Sequence, residues 1–123
     1  MIDSNVLIDV SRGNLAAIRY LDGLDGVCSV SQVTAMELIV GARNKTEVTA
    51  IEELLATFDV IPLNSMIGET AFRLLKLYAK SHGLHVFDSL IAATAMENEL
   101  TLVTLNRKHY QMIDGLKIQV PTY

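Results

Sequence analysis

Residues 88–98 carry Leu90, Ile91, Ala92, Ala93, Ala95 and Met96, a segment of helical spacing that is apolar on almost every face, with one carboxylate, Asp88, at its head and another, Glu97, near its end. A helix without a polar stripe has no side to turn toward water, so this one is expected at the centre of the fold. Around it, short apolar runs alternate with longer amphipathic ones. Residues 27–30, 58–63, 100–104 and 116–120 have the length and composition of strands, and a very short strand ending at Ile2 precedes them. Helical patterns fill the intervals: one from Ser4 to about Arg12, one behind Asn14, one from a Ser31 cap to about Arg43, one beginning at Thr46, and the longest from an Asn64 cap to a stop at Gly83. A short helical turn is expected near residues 107–112. Such alternation predicts an α/β protein: a three-layer α/β/α sandwich on a mostly parallel sheet of about five strands, with six or seven helices.

The 123 residues suit a single domain, 1–123, with one core. Half of the residues are hydrophobic and a fifth are charged, and no stretch has linker or low-complexity composition. One cysteine, Cys28, lies in an apolar run, which excludes an internal disulfide and a four-cysteine metal centre. The chain shows no basic leader followed by a long apolar stretch, and no apolar run approaches the roughly 18 to 20 residues that span a bilayer. A cytoplasmic protein with no membrane partner is expected. The net charge of −4 argues against a protein that coats nucleic acid through many basic side chains. A nuclease is not excluded, because a bound cation offsets acidic charge locally.

Three carboxylates stand in apolar settings far apart in the chain. Asp3 follows the first strand directly, Asp88 opens the central helix, and Glu37 is the only charged residue among Val33, Ala35, Met36, Leu38, Ile39 and Val40. Asn106 follows a fourth apolar segment. In open parallel sheets ligands bind beyond the carboxyl ends of the strands, where strand order reverses. Four oxygen donors collected there would suit a hard divalent cation and chemistry on phosphate esters.

Each has a plainer explanation. Asp88 could cap its helix, Asp3 could share the first cap with Ser4, and Asn106 could belong to a turn. Glu37 could pair with Arg43 or occupy a solvent-facing slot. Asp9, Asp22, Asp25, Asp59 and Asp114 lie in amphipathic or turn settings and are read as solvated. His82, His85 and His109 lack a paired zinc spacing.

Four blocks, residues 3–9, 34–38, 87–95 and 102–110, taken in order and spacing, resemble the PIN-domain ribonucleases and, more narrowly, VapC-type toxins of prokaryotic toxin–antitoxin pairs. The resemblance covers the whole chain. It implies Mg²⁺ or Mn²⁺ held by Asp3, Glu37 and Asp88, and endonucleolytic cleavage of RNA by water activated at the metal. It also implies a homodimer and a cognate antitoxin whose C-terminal segment blocks the site. Asn106 takes the place where many relatives have a fourth acid, and the first strand is shorter than is usual in the family.

Ser4, Asn5 and Thr104 are candidates to position water or phosphate. Arg107 and Lys108, with His109, are placed to touch an RNA backbone, although a solvated basic turn explains them equally. Two amphipathic stretches, residues 47–58 and 65–80, are candidate dimer faces. A haloacid-dehalogenase phosphatase needs a second acid where Asn5 stands, and a response-regulator receiver needs neighbouring acids before the first helix together with a lysine after a late strand, a combination that is not found. The rival from another class is a PIN-like module that binds RNA or protein without catalysis, which the amide of Asn106 keeps open.

Overall fold

Short polar side chains standing before amphipathic runs set most of the helix starts. In the computed structural model, which describes residues 1–123, α1 (Ser4–Ser11) begins at Asp3 and α2 (Leu15–Asp22) at Asn14. After strand β1 (Ser29–Ser31), α3 (Gln32–Gly41) starts at Ser31 and α4 (Lys45–Leu55) at Asn44. Beyond β2 (Asp59–Ile61), Asn64 starts the long α5 (Ser65–His82). In all five the cap side chain accepts a backbone N–H of the first turn, an arrangement each worth about 1 kcal/mol. The chain ends α5 by turning left-handed at Gly83, with φ 71°, where a side chain would be strained. Then come α6 (Val86–Glu97), β3 (Leu102–Val103), α7 (Arg107–Tyr110) and β4 (Ile118–Gln119).

Two parallel ladders, β1 with β2 and β3 with β4, form the sheet. Residues Met1 to Asp3 join them. The Ile2 N–H donates to the Ser29 carbonyl at 2.8 Å, the Asp3 N–H to that of Val103 at 2.9 Å, and the Val103 N–H to that of Met1 at 2.8 Å. Ile2 and Val103 make a parallel bridge. The order across the sheet is therefore β2, β1, the N-terminal segment, β3, β4. The chain steps outward from the N-terminal segment to β2 and then crosses back to β3, so the reversal of order falls between Asp3 and the end of β3.

Side-chain alternation sorts the sheet residues onto two faces. Met1 and Leu102 point into one apolar cluster, with Ile67, Ala71 and Leu74 of α5 and Ile91, Ala92, Ala93 and Ala95 of α6. Ile2 and Val103 point into another, with Val6, Leu7, Val30, Leu38 and Ile51. These are the two helical layers of the expected sandwich. The central placement of the apolar helix is borne out, since six of its side chains, from Ser89 to Ala95, are buried. Each large aliphatic side chain so buried contributes about 1.5–3 kcal/mol.

The strands are shorter than the apolar runs suggested. Pro62 has no N–H to extend β2 beyond Ile61, and the first strand is reduced to the single bridge at Ile2. Asp3 rather than Ser4 caps α1. The central helix begins at Val86, two residues before Asp88, and its N-cap His85 makes no side-chain bond. Asp88 is thus not a cap.

Candidate active site at the reversal of strand order

Asp3 leaves the sheet at the point where strand order reverses, and the residue is 2 % exposed. It is held by three donors. Oδ1 accepts the Ser4 N–H at 2.8 Å, and Oδ2 accepts the Thr104 hydroxyl at 2.7 Å and the Asn5 amide at 3.3 Å. Thr104, fully buried at the end of the neighbouring β3, also accepts the Asn106 N–H at 3.0 Å. Asn5 spans both strand ends, since its Oδ1 accepts the Leu105 N–H at 3.2 Å while its Nδ2 reaches Asp3 and Thr104. Burial nevertheless raises the Asp3 pKa above the ordinary value, and the charge of Asp88 adds to that rise.

Asp88 approaches from the first turn of α6. Its Oδ1 accepts the Tyr110 hydroxyl at 3.1 Å, and its Oδ2 lies 3.3 Å from Nδ1 of His109. Tyr110, 1 % exposed, also lies close enough to Asp3 to bear on its ionisation, and burial among these acids pushes the phenol pKa well above the usual tyrosine value.

Glu37 enters from the middle of α3. Its carboxyl pKa is raised, first by burial and then by the charges of Asp3 and Asp88, while the Ser4 hydroxyl tempers the rise. Oε1 is buried and has no hydrogen-bond partner. Arg43, the ion-pair partner considered for it, turns to Glu47 at 2.9 Å instead and, through its backbone N–H and guanidinium, holds that carboxyl below its usual range. An oxygen withdrawn from water without a donor costs about 1–3 kcal/mol, more for a charged group.

The fold thus brings Asp3, Glu37 and Asp88 into one electrostatic neighbourhood. They stand more open than a closed ligand cage: no three His, Cys, Asp or Glu side chains come near enough to hold a metal ion as they lie. The chemistry of the set still fits a hard cation, being all carboxylate oxygen, crowded in charge and with one oxygen unpartnered. Asn106 lies at the same strand end, anchored by its backbone, with its exposed side chain making no cap to α7. Arg107 and Lys108 line a shallow hollow of about 430 Å³ with Leu105, Asn106, His109 and Gln111. A larger groove of about 650 Å³ runs between α1, α3 and α4, lined by Ile8, Leu38, Ile51 and Leu54, with Glu37 and Arg12 in its walls.

Sequence reasoning missed the two contacts made by α7, Tyr110 and His109 on Asp88. A signal for the first was present: Tyr110 is the one aromatic of a short polar helix, and a tyrosine that buries its ring takes its hydroxyl to a partner.

Comparison with known proteins identifies the family and the fold. The family model described as PIN domain matches residues 1–114. The chain is 39% identical over 120 residues to Ribonuclease VapC10 of Mycobacterium tuberculosis, covering 95% of this chain and 90% of that protein. Among solved structures it resembles a toxin-antitoxin complex from Klebsiella pneumoniae, with TM-score 0.79, 30% identity and coverage of 94% of this chain and 92% of that one. It also resembles VapBC-1 from nontypeable Haemophilus influenzae, with TM-score 0.80, 27% identity and coverage of 98% and 96%.

Proposed function

Since the chain belongs to the PIN-domain family, in its VapC-type branch, we propose that it is a Mg²⁺- or Mn²⁺-dependent endoribonuclease and the toxin of a toxin–antitoxin pair. Three carboxylates remote in sequence share one neighbourhood at the reversal of strand order, and the buried, unpartnered oxygen of Glu37 carries this reading. Asp3, Glu37 and Asp88 would hold the cation, with the amide oxygen of Asn106 beside them. When bound, such an ion stabilises charge on the phosphoryl oxygens and makes water an effective nucleophile near neutral pH.

The chain's own groups do the positioning. Thr104 and Asn5 fix the Asp3 carboxylate, and the Ser4 hydroxyl lies against Glu37, at hand for water or a phosphate oxygen. Arg107 and Lys108 meet the RNA backbone in the hollow next to Asn106. The groove between α1, α3 and α4 takes a segment of the antitoxin, and because Glu37 forms part of its wall, a chain lying there reaches the acids. A homodimer uses the exposed Met66, Phe72 and Leu77 of α5, within the stretch 65–80. Such a protein works in the cytoplasm, and no helix is long and apolar enough to cross a membrane.

One observation favours a second reading, a non-catalytic module that binds RNA or protein: the acids do not close on a common point. Isothermal titration with Mn²⁺ followed by RNA incubation with and without chelator separates the two. The nuclease is expected to give a binding isotherm and cleavage that EDTA stops; neither would leave the module.

A further inference from the structure

The Tyr110 ring fills space in the core beside Ile91 and Leu102, and a phenylalanine would fill it equally well. Its oxygen is what needs explaining. In a buried tyrosine the hydroxyl usually finds a backbone carbonyl or a water. Here it donates to Asp88 Oδ1 at 3.1 Å and borders Asp3, so the one hydroxyl stands between two carboxylates delivered by different elements, the N-terminal segment and α6. The other oxygen of Asp88 faces His109 of the same short helix. Asp3, by contrast, takes its donors from Ser4, Asn5 and Thr104. Without Tyr110 the Asp88 carboxylate would keep only a half-exposed imidazole to fix its rotation.

We propose that Tyr110 is a positioning residue of the acid cluster, its buried hydroxyl holding the Asp88 carboxylate at the angle from which it meets the cation. The inference rests on the metal-dependent reading above and adds a residue to it. A carboxylate oxygen has two lone pairs, so one can take the phenol while another takes a metal ion. Donors behind metal-ligating groups fix their orientation, and their loss typically weakens metal affinity about 10–100-fold.

The test is Tyr110→Phe, which removes one oxygen and keeps the ring. Mn²⁺ binding is followed by isothermal titration and by the electron paramagnetic resonance of the free ion, with circular dichroism to confirm the fold. Tyr110→Phe is expected to bind Mn²⁺ about tenfold more weakly while keeping the wild-type KM for RNA at saturating Mn²⁺. Equal Mn²⁺ affinity in Tyr110→Phe and wild type would overturn the inference and leave the nuclease reading standing. Absence of Mn²⁺ binding in wild type would remove both.

A second measurement needs no variant at this position. In wild-type protein labelled at tyrosine ¹³Cζ, the four tyrosines give resolvable signals that Tyr→Phe changes at Tyr20, Tyr78 and Tyr123 assign. Diamagnetic Mg²⁺ is expected to shift the Tyr110 signal and leave the others in place. A Tyr110 signal that stays still while Mg²⁺ binds contradicts the proposal.

Discussion

Asp3 and Glu37 belong to one acid cluster and are served in opposite ways. Asp3 is the more deeply buried, yet Ser4, Asn5 and Thr104 supply donors to both of its oxygens. Glu37 is half-buried and keeps an oxygen inside the protein with no donor at all. Both carboxyls are raised, in each case by burial first, so burial does not distinguish them. Provision does. Two adjacent strand ends build the Asp3 side as a finished network, whereas the Glu37 side leaves bonding capacity unused. A site with one side fixed and one side unsatisfied is suited to a ligand that completes it.

The sharpest way to break the fixed side is Asp3→Asn. The amide still accepts the Ser4 N–H, so α1 keeps its cap and the circular dichroism spectrum is expected to match wild type. Chelator-sensitive RNA cleavage is expected to fall on the order of 10³-fold, as when a principal group stabilising transition-state charge is removed. Full activity in this variant would mean that Asp3 serves only as a cap.

Thr104→Val attacks the same side from behind, removing the shortest donor to Asp3 without touching the carboxylate. A buried acceptor that loses its partner costs about 1–3 kcal/mol, so the urea midpoint is expected to drop. A midpoint equal to wild type would show that Asn5 and Ser4 suffice.

Much of this contrast was legible in the sequence, for identifiable reasons. The apolar surround of Glu37 marked a carboxylate in the wrong solvent, and the place of Asp3 after a strand put it at the sheet's carboxyl edge. For Asp88 the plainer alternative, capping, is set aside only by where the helix begins. Asp88 reads as a cap because acids are common at helix starts, but the helix starts two residues earlier and frees its side chain for Tyr110. The partners of Asp3 and Asp88 could not be read locally, since Thr104 lies 101 positions from Asp3 and Tyr110 lies 22 from Asp88. Strand lengths were overestimated because apolar runs continue past the last ladder bond, as at Leu100 and Val120.

The open side answers to charge and pH. The Glu37 pKa lies above its unperturbed 4.5, so the folded state binds its proton more tightly than the unfolded chain does. Its contribution to stability is therefore fully present below pH 4.5 and is lost as pH rises through the raised value. Glu37→Gln removes that loss. In cation-free buffer at neutral pH the variant is expected to be more stable than wild type, by under about 1 kcal/mol after allowance for solvent screening. The gain should disappear as pH falls toward 4.5. Thermal melts of both proteins across that range check it, and a variant less stable than wild type at neutral pH would show that Glu37 is well satisfied.

The smallest effects belong to the rim. Arg107→Ala and Lys108→Ala are each expected to weaken RNA binding a few-fold and to lower the slope of log affinity against log salt by about 1. Unchanged slopes would return these side chains to the role of a solvated turn.

In the proposed reading Asp3, Glu37 and Asp88 share one cation. Anomalous diffraction from a crystal soaked in Mn²⁺ tests it most directly. A single manganese peak is expected, with carboxylate oxygens of all three residues within roughly 2–2.5 Å or linked to it through one water. A peak held by other side chains, or these three turned away from any common ion, would contradict it.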